Sequence, residues 1–160
     1  MAVRYNAGEI ITAMVTPFNE NKEVDYESLE KLVNHLVNTG SDAILVAGTT
    51  GECPTLTHEE EWDVLKFVIK TANKRVKVVM GTGSNCTETA GMTAAKAEEL
   101  GADAILTVVP YYNKPSQRGM IAHFSAVAEA TKLPIILYNI PGRTGVNMQP
   151  ATIAELAKKY

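Results

Sequence analysis

The sequence is poor in everything that marks an exported, membrane or nucleic-acid-binding chain. Two cysteines in 160 residues, Cys53 and Cys86, make no disulfide framework and no metal spacing, and the expectation is a reduced, cytoplasmic protein. His35, His58 and His123 lie far apart, each in or at a predicted helix. A zinc site gathers about four N, S or O donors, so the three read as helix and surface residues. No apolar run approaches ~18 residues, and the opening "MAVRYNAGEI" has no apolar leader core, so neither export nor a membrane span is expected. A formal net charge of −3 supplies no clustered basic surface for nucleic acid or an anionic membrane.

What is present is ordinary globular chain: 46% hydrophobic and 21% charged residues, enough for one domain with a sizeable core. Short β-branched runs alternate with longer amphipathic stretches. The predicted strands are Ile10 to Thr16, Ala43 to Ala47, Lys77 to Gly81, Ala104 to Val109 and Pro134 to Asn139. Their near-continuous Val, Ile and Leu content suits parallel strands buried on both faces.

Five helices are predicted between and after these strands. Leu29, Leu32, Val33, Leu36 and Val37 follow helical spacing, with Gly40 as the stop. Thr57-His58-Glu59-Glu60 has the form of a capping box. The third helix runs from about Thr87 to Leu100 before Gly101, and the fourth from about Gln117 to Thr131. The fifth starts near Pro150 and is still running at Tyr160. "GSDAIL" (Gly40 to Leu45) recurs as "GADAIL" (Gly101 to Leu106), either as internal duplication or as one good helix-to-strand joint used twice.

Five βα units suit either a complete doubly wound sheet or five-eighths of a (β/α)₈ barrel. In both, the site lies at the strand C-terminal ends, and there the sequence places "TPFN", "GTTGE", "GTGSN", "PYYNKP" and "YNIPGRTG". "GTGSN" opens like a dinucleotide fingerprint but lacks its third glycine, and "AGTTGE" is followed by no Walker lysine. Such short loops hold a small anion through backbone N–H groups, a carboxylate as well as a phosphate. Tyr111, Tyr112 and Tyr138 sit near strand ends. Each alone reads as an amphipathic packing residue, but together with the Thr49 and Thr50 hydroxyls they suit a proton relay. Arg143 in "PGRTG" is either a solvated loop residue or a clamp for a substrate carboxylate.

These motifs, in this order and spacing, resemble the dihydrodipicolinate synthase family, within the pyruvate-dependent class I aldolases that also include N-acetylneuraminate lyase. The resemblance runs over essentially the whole chain. It implies a (β/α)₈ TIM barrel, of which residues 1–160 supply about the first five βα units as a single partial domain ending inside the fifth helix. It implies a usually tetrameric enzyme that condenses pyruvate with aspartate-β-semialdehyde on the diaminopimelate route to lysine. No cofactor is implied beyond a covalent Schiff base on a lysine. Carried over by position, Tyr138 is the proton donor and acceptor, with Thr49 and Tyr112 completing the relay, Tyr112 from a neighbouring subunit. Thr50 and the loop backbone at Gly48 hold the pyruvate carboxylate. Arg143 holds the semialdehyde carboxylate, and Tyr111 packs across the subunit contact. Asn85 matches one position of the site where lysine inhibits some members, whereas Pro54 and Thr89 depart from that pattern.

The implied Schiff-base lysine lies on a sixth strand in the family. The eleven lysines here are expected on helices, at the start of the third strand (Lys77) or in the loop after the fourth (Lys114), and none near a strand's C-terminal end. An amine is needed to turn pyruvate into an enamine nucleophile, so this chain alone is expected to be inactive. The alternatives are a pyruvate-dependent sugar-acid aldolase, which shares "GTTGE" but does not need "PYYNKP" with "PGRTG", and a noncatalytic half-barrel module that binds a carboxylate or a partner chain.

Overall fold

A computed structural model describes residues 5–160. The strands are β1 (Ile11–Ala13), β2 (Ala43–Val46), β3 (Lys77–Gly81), β4 (Ala104–Val108) and β5 (Ile135–Tyr138). The main helices are α1 (Tyr26–Asn38), α2 (His58–Ala72), α3 (Thr87–Leu100), α4 (Gln117–Ala130) and α6 (Pro150–Lys159), with a four-residue α5 (Pro141–Thr144) that the sequence pattern did not suggest. Thus "PGRTG" is not a plain loop, and α6 is the helix expected fifth, with the Tyr160 amide still donating to the Leu156 carbonyl (3.0 Å).

All pairings between the five strands are parallel and the order is β1-β2-β3-β4-β5, which decides between the two folds. A doubly wound sheet reverses its order at a switch point. Unreversed order with right-handed crossovers keeps every helix on one side, and the result is a half-barrel. Side chains divide accordingly. Ile44, Val46, Val78, Met80 and Ile105 face the helices and pack with Leu29, Val33, Leu65, Val68, Ala90, Ala94 and Val127. Ala43, Leu45, Val79 and Ala104 face the inner side.

Strand β1 is shorter than expected because its last pairing is Ala13 with Leu45. Beyond it, Met14 donates to the Leu45 carbonyl (3.2 Å) and Thr16 turns to a loop. The repeated Gly-x-Asp-Ala joint has a physical job. Gly40 and Gly101 hold φ of +99° and +89°, a left-handed geometry that glycine adopts without Cβ strain. The aspartates then brace the preceding strand. Asp42 accepts from the Glu9 and Ile10 amides (2.8 and 2.9 Å), and Asp103 from the Val78 amide (2.8 Å). The Thr57–Glu60 capping box is formed in both directions.

Candidate active site

The strand C-terminal ends form one rim. After β2, Ala47 is in the left-handed region (φ +53°), Gly48 is extended, Thr49–Gly51 make a 3₁₀ turn, and Glu52 is left-handed again (φ +57°). Two non-glycine residues with positive φ bracket the turn, a local strain of the kind found at binding loops. The Gly48 carbonyl accepts from the Gly51 and Cys53 amides (3.0 and 3.4 Å), and the buried Thr16 hydroxyl donates to the Gly51 carbonyl (2.7 Å). Thr49 and Thr50 are exposed, and among the described residues their amides and hydroxyls have no protein partner. Two adjacent N–H groups and two hydroxyls are thus free at the rim, the donor set a small carboxylate takes.

"GTGSN" serves packing. A Cβ on Gly81 would strike the Ala47 carbonyl, and one on Gly83 would lie 2.5 Å from the Val108 nitrogen. These glycines let three neighbouring strand ends approach closely, which is a structural job that needs no phosphate.

After β4, Val109 and Pro110 are buried and Tyr111 is half-exposed. The Asn113 amide donates to the Tyr111 carbonyl (2.8 Å) around Tyr112 at φ +69°, a γ-turn of the rare positive-φ kind. That turn leaves Tyr112 90% exposed. Tyr138 ends β5 opposite Val108 and is 39% exposed. No hydrogen bond joins Thr49, Tyr112 and Tyr138 among the described residues, so the single chain gathers them on one rim without connecting them. Arg143 lies on α5, exposed and in no ion pair among those residues.

Several rim-building residues were missed from sequence. Gln117 donates to the Asn147 carbonyl (2.8 Å) and accepts from the Gln149 amide (3.0 Å) and Thr152 hydroxyl (2.6 Å), binding the α4 start to the β5–α6 segment. Asn139 closes that segment on Asn147 and Met148. Asn113 donates to the Asn85 carbonyl (3.0 Å), which is where Asn85 enters the structure. Their one sequence signal is a short amide side chain at a strand end or helix start.

Behind the rim, on the helix side, is a cleft of about 260 Å³ lined in part by Cys53, Pro54, His58, Glu61, Thr89 and Tyr111. Glu61 is 8% exposed and its carboxyl is pushed up by burial, partly offset by His58 Nδ1 at 2.9 Å. Burial, with the nearby Glu61 charge, pushes the Cys53 thiol up to about 11.

Lysine placement is corrected in detail. Lys22, Lys74 and Lys132 lie in loops rather than on helices, and Lys77, the first residue of β3, is the lysine that falls within a described strand. No helix among the described residues is long and apolar enough to cross a membrane.

Residues 6–160 match the model of the dihydrodipicolinate synthetase family. The chain is 57% identical over 149 residues to the 4-hydroxy-tetrahydrodipicolinate synthase of Heliobacterium modesticaldum, covering 93% of this chain and 50% of that one. A Bacillus anthracis dihydrodipicolinate synthase structure superposes with a TM-score of 0.96 at 48% identity, over 98% of this chain and 54% of that chain. An Acinetobacter baumannii dihydrodipicolinate synthase complexed with pyruvate gives 0.93 at 48% identity, over 96% and 53%. The chain spans about half the length of the relatives it matches.

Proposed function

Because the chain belongs to the dihydrodipicolinate synthetase family, we propose that it is the pyruvate-holding portion of a 4-hydroxy-tetrahydrodipicolinate synthase. The observation that carries this reading is the Thr49–Gly51 turn, with two free amides and two free hydroxyls on the same rim as Tyr138. Pyruvate bound at the A. baumannii relative supports the choice of anion. Thr50 and the Gly48 backbone hold the carboxylate. A lysine amine from outside the 160 residues condenses with the pyruvate carbonyl, releasing water and leaving an imine. Loss of a methyl proton from that imine gives the enamine, whose carbon bonds to the aldehyde carbon of aspartate-β-semialdehyde as the aldehyde C=O π bond opens, its oxygen takes a proton and the imine re-forms. Tyr138 gives and recovers protons at the imine, with Thr49 and the Tyr112 of a neighbouring subunit passing them on. Arg143, free of ion pairs on α5, holds the semialdehyde carboxylate. The complete enzyme is a cytoplasmic homotetramer with no cofactor beyond the Schiff base.

The reading is tested by borohydride trapping. Incubated with pyruvate and borohydride, this chain is expected to show no covalent adduct by intact mass. A specific adduct on Lys114 or any other lysine here would overturn the division of labour. In a polypeptide continuing this one, trapping is expected on a lysine about one βα step beyond Tyr138, and an unmodified product there would refute the aldolase reading.

A further inference from the structure

Arg143 sits in the middle of an excursion, residues 139–148, that leaves β5 just after Tyr138 and returns before α6. A single helical turn such as α5 makes too few hydrogen bonds to hold itself, so other contacts must fix where it points. The excursion is closed at its neck and filled from within. At the neck, the Asn139 side-chain N–H donates to Asn147 Oδ1 (2.7 Å), and Asn139 Oδ1 accepts from the Met148 amide (3.0 Å). Inside, the hydroxyl of Thr144, 2% exposed, is shared between the Ile140 and Val146 carbonyls (3.2 and 2.9 Å). Met148 joins Met120, Phe124 and Leu156 in one apolar cluster, and Val146 packs against it. Close ends and an interior filled by the segment's own side chains are the marks of an Ω-loop.

Half-buried Gln117, at the start of α4, fixes the returning limb. Its side-chain N–H donates to the Asn147 carbonyl (2.8 Å), and its oxygen accepts from the Gln149 amide and the Thr152 hydroxyl (3.0 and 2.6 Å). The Lys114 stem crosses Gly145, with Cε 3.1 Å from where a Cβ there would stand. Tyr138 is held by different means. Its carbonyl accepts from the Val109 amide (3.0 Å), and it lies in register with Val108 of β4. Loosening the excursion therefore moves Arg143 and leaves Tyr138 on its strand.

We infer that Asn139 and Gln117, which meet at Asn147, are positioning residues for the acceptor substrate: they keep Arg143 at one separation from Tyr138. The inference rests on the reading of Arg143 as the group that holds the semialdehyde carboxylate. That carboxylate is a fixed number of bonds from the aldehyde carbon. Both ends of the acceptor can be met together only while the two side chains keep their spacing, and misplacement by about 1 Å is enough to cost on the order of a hundredfold. Neither Asn139 nor Gln117 touches the reacting atoms in this account; each acts through the backbone that carries Arg143.

The test uses a polypeptide that continues this chain through the remaining strands. Asn139→Ala and Gln117→Ala are each expected to raise KM for aspartate-β-semialdehyde at least about tenfold. The pyruvate KM and kcat should stay within about twofold, because the lost contact serves binding of one substrate only. Borohydride trapping of pyruvate should be unchanged, whereas general loosening of the fold would lower kcat and move both KM values. Asn147→Ala is expected to act like Asn139→Ala, and Asn147→Asp, which keeps the Oδ1 acceptor, to restore the semialdehyde KM. Should the Asn139 or Gln117 variant unfold, the pair at Asn147, an exposed residue, decides. Three results would overturn the inference while trapping, and with it the pyruvate reading, stands: an unmoved semialdehyde KM, equal rises in both KM values, or Asn147→Asp no better than Asn147→Ala. An unsubstituted enzyme that traps no pyruvate would overturn the reading of the site and this inference with it.

Discussion

Replacing Gly83 by alanine tests whether close approach of strand ends shapes the rim. The new Cβ would lie 2.5 Å from the Val108 nitrogen and 2.6 Å from its Cγ1, whereas real Cβ atoms essentially never come within 3.0 Å. Strand β4 must therefore retreat by at least about 0.5 Å, and it is held between β3 and β5 by backbone pairing on both sides. Overpacking of this kind costs about 1–3 kcal/mol. In a chain of this length, about 2 kcal/mol lowers Tm by roughly 4–8 °C. Gly142→Ala is the control, because nothing lies within 4 Å of its added Cβ and its φ is not in the left-handed region. There the smaller unfolded-state entropy is expected to stabilise by about 0.4–1 kcal/mol. Urea unfolding followed by circular dichroism measures both. Gly83→Ala within ~0.5 kcal/mol of the unsubstituted chain, or a Gly142→Ala equally damaging, would refute the packing account of "GTGSN".

The two thiols should differ sharply in reactivity: hydrogen bonds with Thr89 lower the exposed Cys86, while burial raises the half-buried Cys53 to about 11. At pH 8 the thiolate fractions differ by roughly a hundredfold or more, and the lower intrinsic nucleophilicity of the more acidic thiol takes back about tenfold. Iodoacetamide followed by peptide mass mapping is therefore expected to modify Cys86 at least about tenfold faster; equal rates would contradict the burial of Cys53. His123 is 4% exposed, with Nδ1 2.9 Å from the Thr87 hydroxyl and its pKa lowered by burial. The unfolded chain then binds the extra proton, so stability held above the ordinary value of ~6.5 is lost as pH falls through and below it. Urea midpoints at pH 7.5 and 5.5 should diverge, and His123→Gln should narrow the gap.

Periodicity and punctuation made the frame legible. The bounds of β3 and α3 match their expected ranges residue for residue, because a turn or cap residue stands at each end. The strand order was not legible, since five βα units have the same local pattern whether the sheet winds one way or two. At the rim, the Thr49–Thr50 loop was readable from its glycines and hydroxyls. The supports were not: Thr16, Gln117 and Asn139 act through contacts made only once the chain has folded. α5 escaped notice because "PGRTG" has the composition of a turn, and a single helical turn closed by Gly145 at φ +75° leaves no periodicity to detect.

The unreversed strand order also bears on how the chain is made. Ile11 pairs with Ala43, Ala43 with Lys77, Val79 with Ala104 and Ile105 with Ile135, so each strand waits for a partner only about 25–35 residues downstream. No pairing in the sheet skips a unit. At about 5–20 residues per second, each βα step leaves a ribosome every few seconds and finds its template already in place. The growing sheet thus has one active edge at a time, and the order of synthesis is also the order in which its strands can be laid down.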